Sequence, residues 1–146
     1  MTEREKAAKV WLNRNYGMAL ELESIKRRLE KMQSDIEKVC KPIKLREIQE
    51  SHSGNSQEDK MAEYLDISED LGKRYFELMA KDGVTLQVIN KMDSPILRTI
   101  LIERYINRLK WSNVAIIMHL EERQIMRYHV QALDAVLPFI PKEARR

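Results

Sequence analysis

The sequence predicts an all-α protein. Gly and Pro number four each and aromatics make up 6%, while Lys, Glu, Leu, Ile and Met are abundant; good helix formers dominate and turn formers are scarce. Apolar residues also recur at 3–4 spacing through most of the chain, the period of an amphipathic helix. One polar stretch, Glu-Ser-His-Ser-Gly-Asn-Ser-Gln-Glu over residues 50–58, interrupts that pattern and reads as a loop. The expected architecture is a long antiparallel, coiled-coil-like helical hairpin over residues 1–92, with a loop at about 42–57. A three-helix module over residues 93–146 follows it.

The first helix is read from Ala8, Trp11, Met18, Leu22, Ile25, Leu29, Met32, Ile36 and Val39. From Met18 onward the repeat is a heptad, with Leu22, Leu29 and Ile36 at a and Ile25, Met32 and Val39 at d. That spacing favours a left-handed coiled-coil seam. Leu22, Ile25, Leu29, Met32 and Ile36 are therefore the candidate oligomerisation residues of a homodimer joined through its N-terminal helices. Asn15 falls at an a position, where a buried Asn fixes register, or in a kinked start beside Gly17, which weakens a helix. Pro42 is expected to end the helix, because Lys41 before it is pushed out of the α region.

The second helix is expected over about 57–92. Ser56 or Asn55 caps it, and Glu58 and Asp59 in its first turn complement the helix dipole. Met61, Tyr64, Leu71, Tyr75, Leu78, Ile89 and Met92 keep helical spacing. The spacing resumes in phase after Asp82-Gly83, which favours one continuous helix over a break at Gly83. Two such helices alone bury too little surface to be stable, so docking on the third segment or oligomerisation is expected.

In the last segment Ser94 is placed to cap a helix and Pro95 suits its first position. Ile96, Leu97, Ile100, Leu101, Tyr105 and Leu109 form its apolar face. Residues 107–111 are a connection. Ser112 is expected to cap a second helix, with Val114, Ala115, Ile117 and Met118 inward and Ala115 small enough for a close crossing. His119 marks a sharp turn of the left-handed kind that His tolerates better than most residues. Leu120 tucks under that turn. A third helix starts near Glu121 or Glu122, with Ile125, Ala132, Leu133 and Val136 inward, joined by Val130 or Leu137.

This succession is the layout of a helix-turn-helix, in which the second helix of the motif presents its N-terminal residues to base edges in the major groove. Its outward face offers Arg123, Gln124, Arg127, Tyr128 and Gln131, with Lys110 and Ser112 flanking. Arg pairs with guanine and Gln with adenine through two hydrogen bonds each, and Arg and Tyr also bind phosphate. These seven residues are the candidate DNA-binding set, with double-stranded DNA as the expected partner. The alternative for the same residues is the solvated face of a three-helix bundle. Net charge is split along the chain: +5 over residues 1–46, −6 over 47–93 and +4 over 94–146. A basic C-terminal module suits a polyanion. Glu121 and Glu122 place negative charge at the tip of the same helix, so binding must lean on Arg123, Arg127 and Lys110.

The run Leu101-Ile102-Glu103-Arg104-Tyr105-Ile106, then Trp111-Ser112-Asn113-Val114-Ala115, and on to Ala132-Leu133 resembles region 4 of sigma factors. It is most similar to phage-encoded, sigma-like regulators of the ArpU and RinA type. Ser53-Gly54-Asn55-Ser56 and Asp59-Lys60-Met61-Ala62 also resemble that family, so the resemblance spans roughly residues 50–140. Two positions differ from the pattern: His119 stands where Gly is frequent, and Glu121 where Ser or Thr is. The resemblance implies a bacterial cytoplasmic protein that recognises promoter DNA, contacts host RNA polymerase and activates late or packaging genes.

Other classes find little support in the residues. His52, His119 and His129 are scattered and match no metal-site spacing, so neither a metal nor another cofactor is expected. No phosphate loop or nucleophile elbow is present, and no catalytic residue is assigned: the chain is not expected to be an enzyme. Cys40 is the one cysteine, which excludes an internal disulfide framework; it reads as the bland edge of a helix seam. No apolar run reaches membrane-spanning length and the first residues lack an apolar signal core. Two rival readings remain. One is a DNA-packaging protein like a small terminase subunit; the other is a helical interaction module that binds protein rather than DNA.

Overall fold

The structure is a computed structural model that describes residues 1–40 and 53–145, with side chains over 1–38 and 57–143. The helix end expected at Pro42 and most of the loop expected over 42–57 lie outside that description, whereas Asn55 and Ser56, expected to cap the second helix, stand inside it, because the helix starts at Ser53. The described residues are all-helical, with no strand among them. They divide into two compact units: Met18–Leu78, and Met1–Gly17 together with Met79–Arg146.

The first unit contains most of α2 (Tyr16–Cys40) and of α3 (Ser53–Ile89). Leu22, Leu29 and Met32 of α2 are buried against Leu71 and Leu78 of α3, with Ile25, Tyr64, Ile67 and Tyr75 half-buried around them. Met18 and Glu21 lie beside Asp70 and Arg74, while Met32 and Ile36 lie beside Lys60 and Glu63, so the helices run antiparallel. Burying a Leu or Met side chain is worth about 1.5–3 kcal/mol, which makes this seam the main stabiliser of the unit. Arg74 adds ion pairs to Glu21 and Asp70, exposed and therefore of small energetic value. α3 continues unbroken through Gly83, as its in-phase spacing predicts.

The second unit departs from the expected division at residue 92. A separate short helix, α1 (Glu3–Leu12), is capped by Thr2, whose hydroxyl accepts the Glu5 N–H while the Glu5 carboxylate accepts the Thr2 N–H. Its Ala8, Trp11 and Leu12 join Val88, Ile89 and Met92 in a core completed by Leu101, Tyr105, Ala132, Leu133, Val136, Leu137 and Ile140. The single first helix expected from the spacing is thus two helices. Asn13 to Asn15 form the turn between them, closed by the Arg14 N–H to Trp11 O and the Tyr16 N–H to Asn13 O. Asn and Gly are weak helix formers, and Asn13, Asn15 and Gly17 concentrate them at one place. Asn15 lies in that break, at the kinked start of α2, and not in the seam. It is 7% exposed, and its amide donates to Asp82 Oδ1 at 3.4 Å.

The rest of this unit is α4 (Pro95–Leu101), α5 (Trp111–Met118), α6 (Glu122–Val136) and two short 3₁₀ turns, Leu137–Phe139 and Lys142–Arg145. Ser94 caps α4 through its hydroxyl and Pro95 occupies the first turn. α4 does not stop at Leu101. It continues as a π-helical turn over Ile102–Ile106, in which the Asn107 N–H reaches back five residues to Ile102 O. Three residues expected inward are not: Ile96 is 47%, Ile117 49% and Val130 38% exposed. Leu137, the other candidate, is buried.

Candidate nucleic-acid interface

The candidate face is carried by α5, α6 and the turn between them. Ser112 does not cap α5. The helix starts two residues earlier, with Lys110 in the cap position at φ −65°, ψ 150° and no side-chain cap. At its other end His119 adopts φ 56°, ψ 39°, the left-handed conformation expected of it. The His119 N–H bonds Ile116 O and the Leu120 N–H bonds Ala115 O. These paired bonds are a Schellman closure, which satisfies the orphan carbonyls of a helix end. Leu120 is half-buried and packs under the turn beside Ala115 and Val114. Ile100 and Ile125, both fully buried, complete that small core with Val114. Ala115 is what permits it, since a larger side chain at 6% exposure would push α6 away.

Glu121 is the cap residue of α6, and the Gln124 side-chain oxygen accepts the Glu121 N–H at 3.3 Å. Gln124 is thus engaged in closing the helix start. Tyr128 is likewise turned partly into the protein, half-buried against Ile100, Val114 and Ile125. The other five members of the candidate set, Lys110, Ser112, Arg123, Arg127 and Gln131, are exposed. Arg123, Arg127 and Gln131 stand at intervals of four on the solvent side of α6. The side chains of Arg123, Arg127 and Lys110 make no hydrogen bond or ion pair among the described residues. Three free cations and an amide therefore share one face, with Glu121 and Glu122 at its tip.

Beneath this face lies a polar cluster that the sequence reading passed over. His129 is 3% exposed. Its Nε2 and the Tyr105 hydroxyl share a hydrogen bond of 2.6 Å, and its ring meets Trp111 at 4.5 Å between centroids. Burial holds His129 down to about 4, helped by the nearby Lys9 and Arg104 charges. Burial likewise pushes the Tyr105 phenol above its ordinary value. The Arg104 guanidinium stacks on Trp111 at 4.7 Å and donates to Leu109 O at 2.9 Å. The signal for His129 was present: it stands four residues after Ile125 and four before Leu133, on the buried stripe of α6.

A second cluster fixes the connection that leads into α5. Arg108 has φ 57°, a left-handed conformation that costs a non-glycine residue energy. Its guanidinium forms a bidentate pair with Asp82 of α3, at 3.0 and 2.9 Å, and donates to Ile106 O at 2.7 Å. Both side chains are less than one-fifth exposed. Arg14 stacks on Trp11 at 3.9 Å and donates to Lys81 O, so the 13–15 turn meets the same stretch of α3. Nothing in residue spacing links positions 82 and 108, which is why this pair was not foreseen.

The five residues assigned to oligomerisation sit elsewhere. Leu22, Leu29 and Met32 are buried within one chain, and Ile25 and Ile36 are half-buried in the same seam, facing α3. The heptad is real, but its partner helix is α3, so these side chains offer little surface to a second subunit.

No described helix is long and apolar enough to cross a membrane, and no three described His, Cys, Asp or Glu side chains gather into a group able to hold a metal. No family model, curated protein or solved structure matches the chain.

Proposed function

We propose that the chain binds double-stranded DNA through α5 and α6, used as a helix-turn-helix, and acts as a transcription regulator of the phage sigma-like kind its sequence resembles. The observation that carries this reading is the α5–α6 turn: left-handed His119, Leu120 tucked inward, Ala115 at the close approach and Ile125 buried behind them. That turn holds two helices at a fixed angle and leaves one long face of the second helix free, as groove entry requires. Arg123, Arg127 and Gln131 supply donors along that face, and Lys110 supplies a phosphate contact at its edge.

Selection of bound duplexes from a random library tests the reading. Enrichment of a defined site is expected, with Arg123→Ala and Arg127→Ala each weakening it by about 1–3 kcal/mol while the helical signal is retained. Lys110→Ala weakens all duplexes alike and lowers the salt slope by about 1 for each chain bound. Absence of duplex binding at low salt overturns the proposal in favour of a protein-binding bundle. Assembly into a ring of many subunits favours a DNA-packaging role.

A further inference from the structure

α6 carries two exposed large apolar side chains, Met126 at 37% and Val130 at 38% exposed. They stand beside the arginines of the same helix. Arg123 is three residues from Met126 and four from Arg127, and Val130 is four from Met126 and three from Arg127. Residues at those intervals are surface neighbours, about 5–6 Å apart at Cβ, so the four side chains form one patch. Packing does not call for the apolar pair. The inward stripe of α6 is complete in Ile125, His129, Ala132, Leu133 and Val136. Val also loses rotamer freedom in a helix, so it is a poor choice for a surface position that only has to be helical.

The surroundings of the pair say what covers it. Arg123 and Arg127 are free of partners among the described residues. A surface that docks here must therefore accept two guanidinium groups beside two apolar side chains. Carboxylates stand at both ends, Glu122 four residues before Met126 and Asp134 four after Val130. They repel a phosphate strand laid along the helix and leave the middle of the patch to uncharged groups. Base edges in the major groove meet these conditions. Guanine offers two acceptors to an arginine, and thymine alone offers a methyl group.

We infer that Met126 and Val130 contact thymine methyl groups and so set part of the sequence that α6 selects. This rests on the proposed entry of α6 into the major groove. The thymine met by Val130 lies within about two base-pair steps of the position read by Arg127, given the separation of the two side chains. Val130 is stiff about its first side-chain bond and Met126 is flexible, so Val130 discriminates more sharply.

Uracil in place of thymine removes the methyl group and leaves the hydrogen-bonding groups of the base pair unchanged. The test compares a duplex obtained by library selection with copies carrying uracil at single thymine positions, each titrated against the full chain at fixed salt. Uracil at the positions met by Met126 and Val130 is expected to weaken binding about fourfold for each methyl lost, the scale of one buried methyl group. Val130→Ala is expected to abolish the uracil effect at one position and Met126→Ala at the other, each leaving its companion's position sensitive. Both side chains are more than one-third exposed, so circular dichroism should show an intact fold. A selected site without thymine, or undiminished binding to a fully uracil-substituted duplex, overturns the inference and leaves the helix-turn-helix reading standing. The same follows from equal uracil sensitivity in the wild type and both variants, which assigns the methyl effect to another part of the chain or to duplex stiffness. No binding to any duplex at low salt overturns both.

Discussion

Asp82 is the residue whose loss should most disturb the C-terminal half of the protein without touching its candidate DNA face. Removing it as Asp82→Ala takes two charge-assisted hydrogen bonds from Arg108 and leaves that guanidinium with Ile106 O alone. An exposed pair is worth less than 1 kcal/mol, and breaking a fully buried one costs about 3–5. At 19% and 16% side-chain exposure the pair lies between these limits, and the expected cost is about 2–3 kcal/mol. The Asn15 contact at 3.4 Å adds little. Arg108 itself separates two effects. Arg108→Ala loses the pair and keeps the left-handed strain, whereas Arg108→Gly loses the pair and relieves the strain. The glycine variant should therefore be more stable than the alanine variant by about 1 kcal/mol. Urea unfolding followed by tryptophan fluorescence is the suitable assay, because Trp11 and Trp111 both belong to the unit that contains Asp82 and Arg108. A double-mutant cycle of Asp82→Ala with Arg108→Ala should give a coupling of about 2 kcal/mol. Coupling below about 0.5 kcal/mol, or equal stability of the glycine and alanine variants, would refute the reasoning.

His129 makes stability depend on pH. Its folded value of about 4 lies below the ordinary 6.5, so the unfolded state takes up a proton first. Stability is then whole above about pH 6.5 and lost progressively down to about pH 4, by up to about 3 kcal/mol. His129→Gln keeps a hydrogen-bonding partner for Tyr105 but does not titrate; its stability should fall less over that window, and a slope equal to the wild type's rules the mechanism out. His119→Gly suits the observed φ of 56° and should stabilise the fold by about 0.5–1 kcal/mol; a lower melting temperature would show that His119 makes a compensating contact.

Helix identity was legible wherever an apolar period met a cap or a breaker. Ser94-Pro95, the turn at His119 and the continuity of α3 through Gly83 are local chemistry, and local chemistry is written in adjacent residues. The heptad of α2 was legible as well, but a seam does not say which helix fills it. Leu22, Leu29 and Met32 would read the same facing a second subunit or facing α3. The break at Asn13–Asn15 was obscured because Trp11 and Met18 keep apolar spacing across it while belonging to different cores. Tertiary pairs between distant positions, such as Asp82 with Arg108 and Tyr105 with His129, leave no periodic trace. Their partners are chosen by the packing of helices that the sequence lists far apart. Gln124 and Tyr128 look free for DNA by residue type and spacing, but the Glu121 N–H engages the Gln124 amide and the small core behind α5 takes part of the Tyr128 ring.

The electrostatics of α6 set a limit on how DNA can be held in the proposed reading. Helix N-termini ordinarily attract phosphate through their free N–H groups and partial positive charge. Here Glu121 sits at the cap, Glu122 in the first turn, and Gln124 folds back on the Glu121 N–H. That end of the helix is stabilised by its own carboxylates, and phosphate is repelled from it. The free cations on this face are Lys110, Arg123 and Arg127, and an Arg committed to a base edge is no longer available to a phosphate. Three phosphate contacts are therefore the most that this face can make, and they give a salt slope no steeper than about −3 for one module on duplex DNA. Affinity of that origin is too weak to select a site by itself, so specific binding through this face requires two modules on one duplex. A specific complex of two chains, with a slope no steeper than about −6 that falls by about 2 in Lys110→Ala because both modules lose the contact, is the expected signature. A slope near −3 with a single chain bound at the selected site would mean that base contacts, rather than paired modules, supply the affinity.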